Sequence, residues 1–163
     1  MLSIRIAQAA IALFAVGHTL GMLSSSFRDD RERAAIEGLK AYRFDIMGVQ
    51  RSHHDFYLGM GWSLSLFLVF ALLLTQWLLP LMQAQPVATR PILWALAAVF
   101  AVMAAFCVRW FFPAPLVMSA VAALLIFIEC SRVIARYPRI NAIERPSSMF
   151  QQINLRAVRH WVK

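Results

Sequence analysis

Charged residues are scarce in this chain. They make up 15% of its 163 residues, whereas a soluble domain carries about 25%. Hydrophobic residues make up 61%, against about 45–50% in soluble domains. So few charges cannot cover a water-facing surface of this size. The composition excludes an ordinary soluble globule, and we expect the excess apolar side chains to face lipid.

Acidic residues and cysteines are also few. The 16 Lys and Arg residues outnumber the 8 Asp and Glu residues and give a net charge of +8. The basic residues flank hydrophobic runs, so we expect membrane lipid, and not nucleic acid, as a partner. Cys107 and Cys130 lie inside apolar runs without the spacing of a CxxC or Cys/His motif, which argues against a thiol redox site or a zinc site. We expect both to be buried free thiols.

Four apolar runs are long enough to cross a bilayer, whose hydrocarbon core of about 30 Å takes about 20 residues of helix. We predict an all-α integral membrane four-helix bundle that forms a single domain. Pro80 is expected to end the second span and Pro91 to begin the third. The predicted spans are residues 6–23, 56–79, 91–112 and 116–135.

The first span has two interpretations. Its apolar core follows Arg5, and small residues at 24–26 stand near a possible cleavage site, as in a signal peptide. Gly17 and Gly21 favour a retained helix, because a GxxxG pair allows close packing between membrane helices.

The distribution of Lys and Arg near the span ends predicts a bacterial inner-membrane protein with both termini in the cytoplasm. Residues 24–55 then form an outer loop. We expect an amphipathic helix at 28–43, started by a capping box at Ser26 and Asp29, that either lies on the membrane surface or caps the bundle. The cytoplasmic tail, 136–163, is expected to form a short amphipathic helix at the lipid interface, or a basic tail that only holds the topology.

Two short motifs hold five of the six glycines. One, residues 17–21, ends the first span, and the other, residues 47–61, leads into the second. The first span runs outward and the second inward, so the motifs are expected to meet at the outer face, where the third span also ends. The residues expected to line one outward-facing ligand pocket are His18, Arg51, His53, His54, Asp55, Tyr57 and Arg109.

His18 is the clearest functional candidate, because an ionisable residue inside a span is costly and faces the bundle interior or a cavity. It could equally fix packing alone, through a bond to a neighbouring helix or to Asp55. Arg109 lies near a helix end, where snorkelling to the interface explains it. Residues 53–55 suggest metal ligands, but adjacent histidines point about 100° apart on a helix, so no metal site is predicted.

Glu129 is a second charge inside a span. Arg132 follows it at i+3 and can pair with it on one face of the helix. This spacing favours a salt bridge near the cytoplasmic boundary, and the alternative is a proton-coupled carboxylate, as in small multidrug exporters.

The two motifs together resemble those of a family of small, uncharacterised bacterial four-span membrane proteins. They read Gly-His-Thr-Leu-Gly at 17–21 and Arg-Ser-x-x-Asp-Phe-Tyr-x-Gly-x-Gly at 51–61. The resemblance covers the first half of the chain best and implies the four-helix fold without an established activity. A looser likeness to DoxX-like and emopamil-binding-protein-like groups concerns architecture only. The motif residues that the resemblance brings together are His18, Arg51, Asp55 and Tyr57.

Three functions stay open on the sequence alone. The first, which we expect, is a protein that binds a lipid, a quinone or a small apolar ligand, or an accessory subunit of a membrane partner or homo-oligomer. The second is an enzyme at the outer face, with His18 as general acid/base, Asp55 orienting it, and Arg51 or Arg109 holding an anionic group. The third is a dimeric small transporter that uses Glu129.

Overall fold

The computed structural model describes residues 2–24 and 27–136 of the chain. In this part of the chain, five helices and one two-stranded hairpin follow one another. The predicted C-terminal amphipathic helix lies outside the described residues. The elements are α1 (Leu2–Leu23), α2 (Asp30–Ala41), β1 (Arg43–Ile46), β2 (Val49–Ser52), α3 (His53–Ala84), α4 (Pro86–Trp110) and α5 (Pro113–Arg136).

Four of these helices, α1, α3, α4 and α5, are long and apolar enough to span a bilayer. This confirms the predicted all-α four-helix bundle and is the architecture of a multi-pass membrane protein. Helix α1 lies between α3 and α5, and α4 packs against α5 and more sparsely against α3. The order of the helices therefore places the first span in contact with both the second and the fourth.

The bundle core is mostly apolar, with a few buried polar side chains. On α1, Ile4, Ala7 and Ile11 are fully buried, so the first span packs as a member of the bundle, which favours a retained helix. Cys107 and Cys130 are buried free thiols, as predicted. The other large, fully buried apolar side chains are Leu68, Leu93, Phe100 and Ile126.

Two proline-based boundaries are wrong. Helix α3 runs through Pro80 to Ala84, and α4 begins at Pro86 and runs through Pro91. A proline removes one backbone donor, but a membrane helix tolerates this loss because neighbouring groups and local adjustments satisfy the freed carbonyl. Pro86 at the start of α4 and Pro113 at the start of α5 take the position that the missing N–H favours.

The segment between α1 and α3 contains the predicted helix, which starts at a different residue. Helix α2 covers Asp30–Ala41, and its N-cap is Asp29, whose carboxylate accepts the Glu32 N–H at 2.8 Å. The Glu32 carboxylate in turn accepts the Arg28 N–H at 2.6 Å. The capping box predicted at Ser26 and Asp29 is therefore wrong, because Asp29 is itself the cap.

A hairpin follows α2, and the sequence analysis did not predict it. Strands β1 and β2 pair antiparallel, with Ile46 opposite Val49. The two residues between them, Met47 and Gly48, have φ angles of 55° and 83°, which is the pattern of a type I′ turn. The carboxylate of Asp45 accepts the Gly48 N–H at 3.0 Å and steadies this turn.

Candidate functional site

The two glycine motifs meet where α1 packs against α3. The imidazole Nε2 of His18 lies 3.0 Å from the carbonyl oxygen of Gly61. Since a carbonyl only accepts, Nε2 carries the proton and donates. One residue along, the Thr19 hydroxyl donates to the Ser65 hydroxyl at 3.1 Å. Lipid removes the hydrophobic drive between helices, so such hydrogen bonds help to position α1 against α3.

Gly61 is also a point of close approach between these helices. A Cβ at this position would collide with the end of the Met22 side chain. Gly17 and Gly21, in contrast, are exposed, and nothing lies within 4 Å of where their Cβ atoms would stand. Among residues 2–24 and 27–136, the expected close packing through Gly17 and Gly21 is therefore wrong, because sequence spacing identifies a helix face but not its neighbour.

The carboxylate of Asp55 is engaged in a hydrogen bond and an ion pair at the start of α3. Its Oδ2 accepts the Ser52 N–H at 2.8 Å, and the Ser52 hydroxyl oxygen accepts the Asp55 N–H at 3.2 Å, which is a capping box. Arg43 on β1 adds an ion pair at 3.9 Å. His18 bonds Gly61, six residues further along α3, a rise of about 9 Å. In the part of the chain that the structure describes, no hydrogen bond or ion pair joins His18 to Asp55.

Aromatic rings fasten the hairpin to the first turns of α3. The Phe44 ring centroid lies 4.9 Å from that of His53 and 6.0 Å from that of Phe56. Tyr42 stacks on His53 with ring centroids 5.9 Å apart. His53 is therefore a packing residue of this ring cluster, and the neighbouring His54 is half-buried outside it.

An open groove of about 470 Å³ runs along α3 beside the hairpin. Asp55, Gly59 and Ser63 follow one another at intervals of four residues, so they share one face of the helix. Phe56 and Met60 form the adjacent row and give this face its apolar surface. The residues that line the groove are Arg51, Asp55, Phe56, Gly59, Met60 and Ser63.

Arg51 supplies the cation at the hairpin end of the groove. Its Nη1 donates to the Gln50 carbonyl oxygen at 3.1 Å, which leaves most of its five N–H donors available to a ligand. The nearby Asp55 carboxylate is engaged by Ser52 and Arg43. Arg43, Arg51 and Asp55 together carry a net charge of +1, which favours an anionic group at this end.

The predicted pocket residues do not form one site. Arg51 and Asp55 line the groove, but His18 lies at the α1–α3 contact. Tyr57 is 57% exposed and does not line the groove. Arg109, in the last turn of α4, is exposed and also lies outside the groove lining.

Four groove residues were not among the predicted site residues: Phe56, Gly59, Met60 and Ser63. A signal for them is present in the sequence. The four-residue spacing from Asp55 through Gly59 to Ser63 places small side chains beside an apolar row, which is the pattern of an open helix face.

The other half of the α1–α3 contact holds a polar cluster that the sequence analysis also missed. Arg5 Nη1 donates to Gln76 Oε1 at 3.0 Å. Gln8 Nε2 donates to Gln76 Oε1 at 3.2 Å and lies 3.4 Å from Thr75 Oγ1. Gln8 and Thr75 are buried, so these bonds satisfy polar groups that lipid would leave unsatisfied.

The predicted ion pair on the fourth span is present. Arg132 Nη1 lies 3.7 Å from the buried Glu129 carboxylate. The same guanidinium donates to the Ser3 hydroxyl, which ties α5 to the first turn of α1. Arg132 therefore pairs with Glu129 and also joins α5 to α1.

Among residues 2–24 and 27–136, no three His, Cys, Asp or Glu side chains lie close enough together to hold a metal ion. Comparisons with protein-family models, with curated proteins and with solved structures give no match to this chain. The function is therefore inferred from the residues of the groove and of the helix contacts.

Proposed function

We propose that this protein binds a lipid, or a lipid-like amphiphile with an anionic headgroup, in the groove along α3. In the same proposal it is a bacterial inner-membrane protein with both termini in the cytoplasm, so that the groove opens at the outer face. The observation that carries the proposal is the combination of an exposed guanidinium with an apolar helix face in one groove.

The apolar half of the groove suits a hydrocarbon chain. Phe56 is 44% exposed and Met60 is 67% exposed, and both lie on a helix long and apolar enough to span the membrane. Gly59 leaves open space beside them, since no atom of the described residues lies within 4 Å of its Cβ position. An acyl or isoprenoid chain could lie along this face and bury apolar surface.

The charged end suits a phosphate or carboxylate headgroup. Arg51 keeps several N–H donors available, and planar guanidinium groups bind such anions through paired hydrogen bonds. Ser52 and Arg43 engage the carboxylate of Asp55, and the attraction between Arg51 and this carboxylate is weaker than either of these interactions. A ligand with one anionic end and one apolar end therefore matches the groove.

The enzyme and transporter hypotheses gain no support from the geometry. An enzyme with His18 as general acid/base needs Asp55 to orient the imidazole, whereas each of these side chains bonds a different part of the backbone. A transporter that uses Glu129 needs a polar cavity beside it, whereas Arg132 lies 3.7 Å from its carboxylate.

Native mass spectrometry of the protein released from nanodiscs tests the binding proposal. The nanodiscs contain phosphatidylcholine and phosphatidylglycerol, and the measurement is the number and type of lipids retained per chain. We expect selective retention of phosphatidylglycerol. Arg51→Gln should weaken it by about tenfold, the effect of about 1.4 kcal/mol, which is near the lower limit for a hydrogen bond to a charged group.

Arg31→Gln is the matched control. Arg31 is exposed on α2 in the same outer segment, so this variant removes the same charge without changing the groove. Equal phosphatidylglycerol retention by both variants would refute the proposal, because retention would then depend on total charge and not on the groove.

A further inference from the structure

The tip of the hairpin exposes an apolar surface that the bundle does not use. Met47 is 97% exposed, the highest exposure among the large apolar side chains of the described chain. Its neighbours Ile46 and Val49 are 40% and 44% exposed. Residues 46–49 carry no charge, and the Asp45 carboxylate reaches the turn, where it accepts the Gly48 N–H. This apolar surface is available to a neighbour outside the described chain.

The backbone at the tip makes this choice of residue unusual. A type I′ turn requires positive φ at both central residues, where Asn, Asp and Gly are favoured. Gly48 fits that requirement at a φ of 83°, but Met47 adopts a φ of 55°, where a side chain without local hydrogen bonding is disfavoured. The turn itself does not explain Met47, because methionine is disfavoured at this φ angle and the side chain is 97% exposed.

The aromatic side chains indicate the level of the membrane interface. Trp and Tyr concentrate where the hydrocarbon meets the headgroups. On α3, Tyr57 and Trp62 are 57% and 41% exposed, and Trp110 at the end of α4 is 67% exposed. The ring of Phe44 packs against Phe56, next to Tyr57. The hairpin is therefore held at the level of the outer interface.

The hairpin is also short, and it carries arginines at its base, the end away from the turn. Strand β2 joins α3 without a linker, because Ser52 ends the strand and caps the helix. Four strand residues reach about 13 Å at about 3.3 Å each, which is enough to reach across the headgroup layer. Arg43 and Arg51 stand in the two strands near this base, where anionic lipid phosphates would attract them.

We propose that the hairpin tip inserts into the outer leaflet of the bilayer, with Ile46, Met47 and Val49 at the boundary between headgroups and acyl chains. The partner is bulk membrane lipid. Apolar side chains lie at the acyl boundary and the basic base of the hairpin lies at the phosphates, as in interfacial amphipathic segments. This inference does not require the groove along α3 to hold a ligand.

Spin labelling measures the depth of the tip. A nitroxide is attached to Met47→Cys in the full-length chain, in a background with Cys107→Ala and Cys130→Ala, and reconstituted in nanodiscs of phosphatidylcholine with phosphatidylglycerol. Power saturation then compares collisions with oxygen, which concentrates in the bilayer, and with a water-soluble nickel chelate. Glu37→Cys, exposed on the polar helix α2, is the matched control.

We expect oxygen collisions to dominate at position 47 and nickel collisions to dominate at position 37. Val49→Cys should behave as position 47 does, which provides a second measurement if Met47→Cys disturbs the turn. Dominant nickel collisions at both 47 and 49 would overturn the proposal in favour of a water-exposed tip. Weak collisions with both reagents would overturn it as well, because they indicate contact with protein, either a second copy or another partner.

Discussion

A double-mutant cycle on His18 and Asp55 separates a structural interpretation of the two motifs from a catalytic one. The variants are His18→Ala, Asp55→Ala and the combination of both. The measurement is the free energy of unfolding in mixed detergent micelles, followed by far-UV circular dichroism. If the residues act as a pair, their effects are coupled, and if they support separate contacts, their effects add.

The structure gives the size of each effect. His18→Ala removes the hydrogen bond to the Gly61 carbonyl. Hydrogen bonds between membrane helices contribute about 0.6 kcal/mol on average, so we expect a loss of about 0.5–1.5 kcal/mol. Asp55→Ala removes the reciprocal bond to Ser52 and the Arg43 ion pair. Loss of an N-terminal capping interaction costs about 1 kcal/mol, and the half-exposed ion pair adds little.

The expected coupling energy is small. Asp55 and Gly61, the partner of His18, are separated by about 9 Å along α3, and no residue of the described chain bonds both His18 and Asp55. Sites this far apart, without shared partners, add within about 0.3–0.5 kcal/mol. A coupling of 1 kcal/mol or more, within the range of about 0.5–3 kcal/mol for residues in contact, would refute this reasoning and restore the hypothesis of an acid/base pair. Thr19→Ala with Asp55→Ala is a parallel cycle that should also be additive.

Two further predictions concern the groove and the buried carboxylate. Gly59→Leu should fill the groove and abolish selective phosphatidylglycerol retention in native mass spectrometry while the helix content stays unchanged, whereas Gly21→Leu, at another open helical glycine, should retain the lipid. Lipid retention by Gly59→Leu would contradict the assigned binding groove. Arg132→Gln should destabilise the protein by about 1–2 kcal/mol more than Glu129→Gln in the same unfolding assay, because it removes the cation beside a buried carboxylate and the half-exposed guanidinium reduces the effect. Equal effects of these two variants would show that the ion pair does not stabilise the bundle.

The spans were predictable from the sequence because the thickness of the bilayer sets the length of an apolar run. The residues at which the spans begin and end were less predictable. In soluble helices a proline marks a helix end because it loses a hydrogen bond and clashes with the preceding turn, but in this bundle the helices continue through both Pro80 and Pro91. The rule fails because packing and the surrounding lipid decide whether a helix continues past a proline, and the sequence pattern does not include either.

The hairpin was missed because its turn lacks the usual signal. An Asn-Gly or Asp-Gly pair between short apolar strands identifies a type I′ turn, and here Met47 occupies the first position. The capping box that follows was readable, since Ser52 and Asp55 stand three residues apart at the start of an apolar run. Reading it would have assigned Asp55 to the helix terminus and separated it from His18.

The sequence predicts the level of the motif residues along the helices but not their angle around the helix axes. Chain topology brings residues 17–21 and 51–61 to the same end of the bundle. Whether two side chains then meet depends on their angle around each helix axis, which depends on the packing partner of each helix. The resemblance of the two motifs to those of a four-span family stays a prediction and does not decide this angle.

The two glycines of the Gly-x-Gly sequence in the second motif lie on different faces of α3. Residues two apart on a helix point about 200° apart, so Gly59 and Gly61 serve opposite faces of α3. Gly61 faces α1, where His18 binds its carbonyl oxygen, and Gly59 faces the groove. One face therefore holds the bundle together while the other stays open to a ligand. Substitutions of His18 and Thr19 should then alter stability without altering lipid retention, whereas Arg51→Gln and Gly59→Leu should alter retention with little effect on stability.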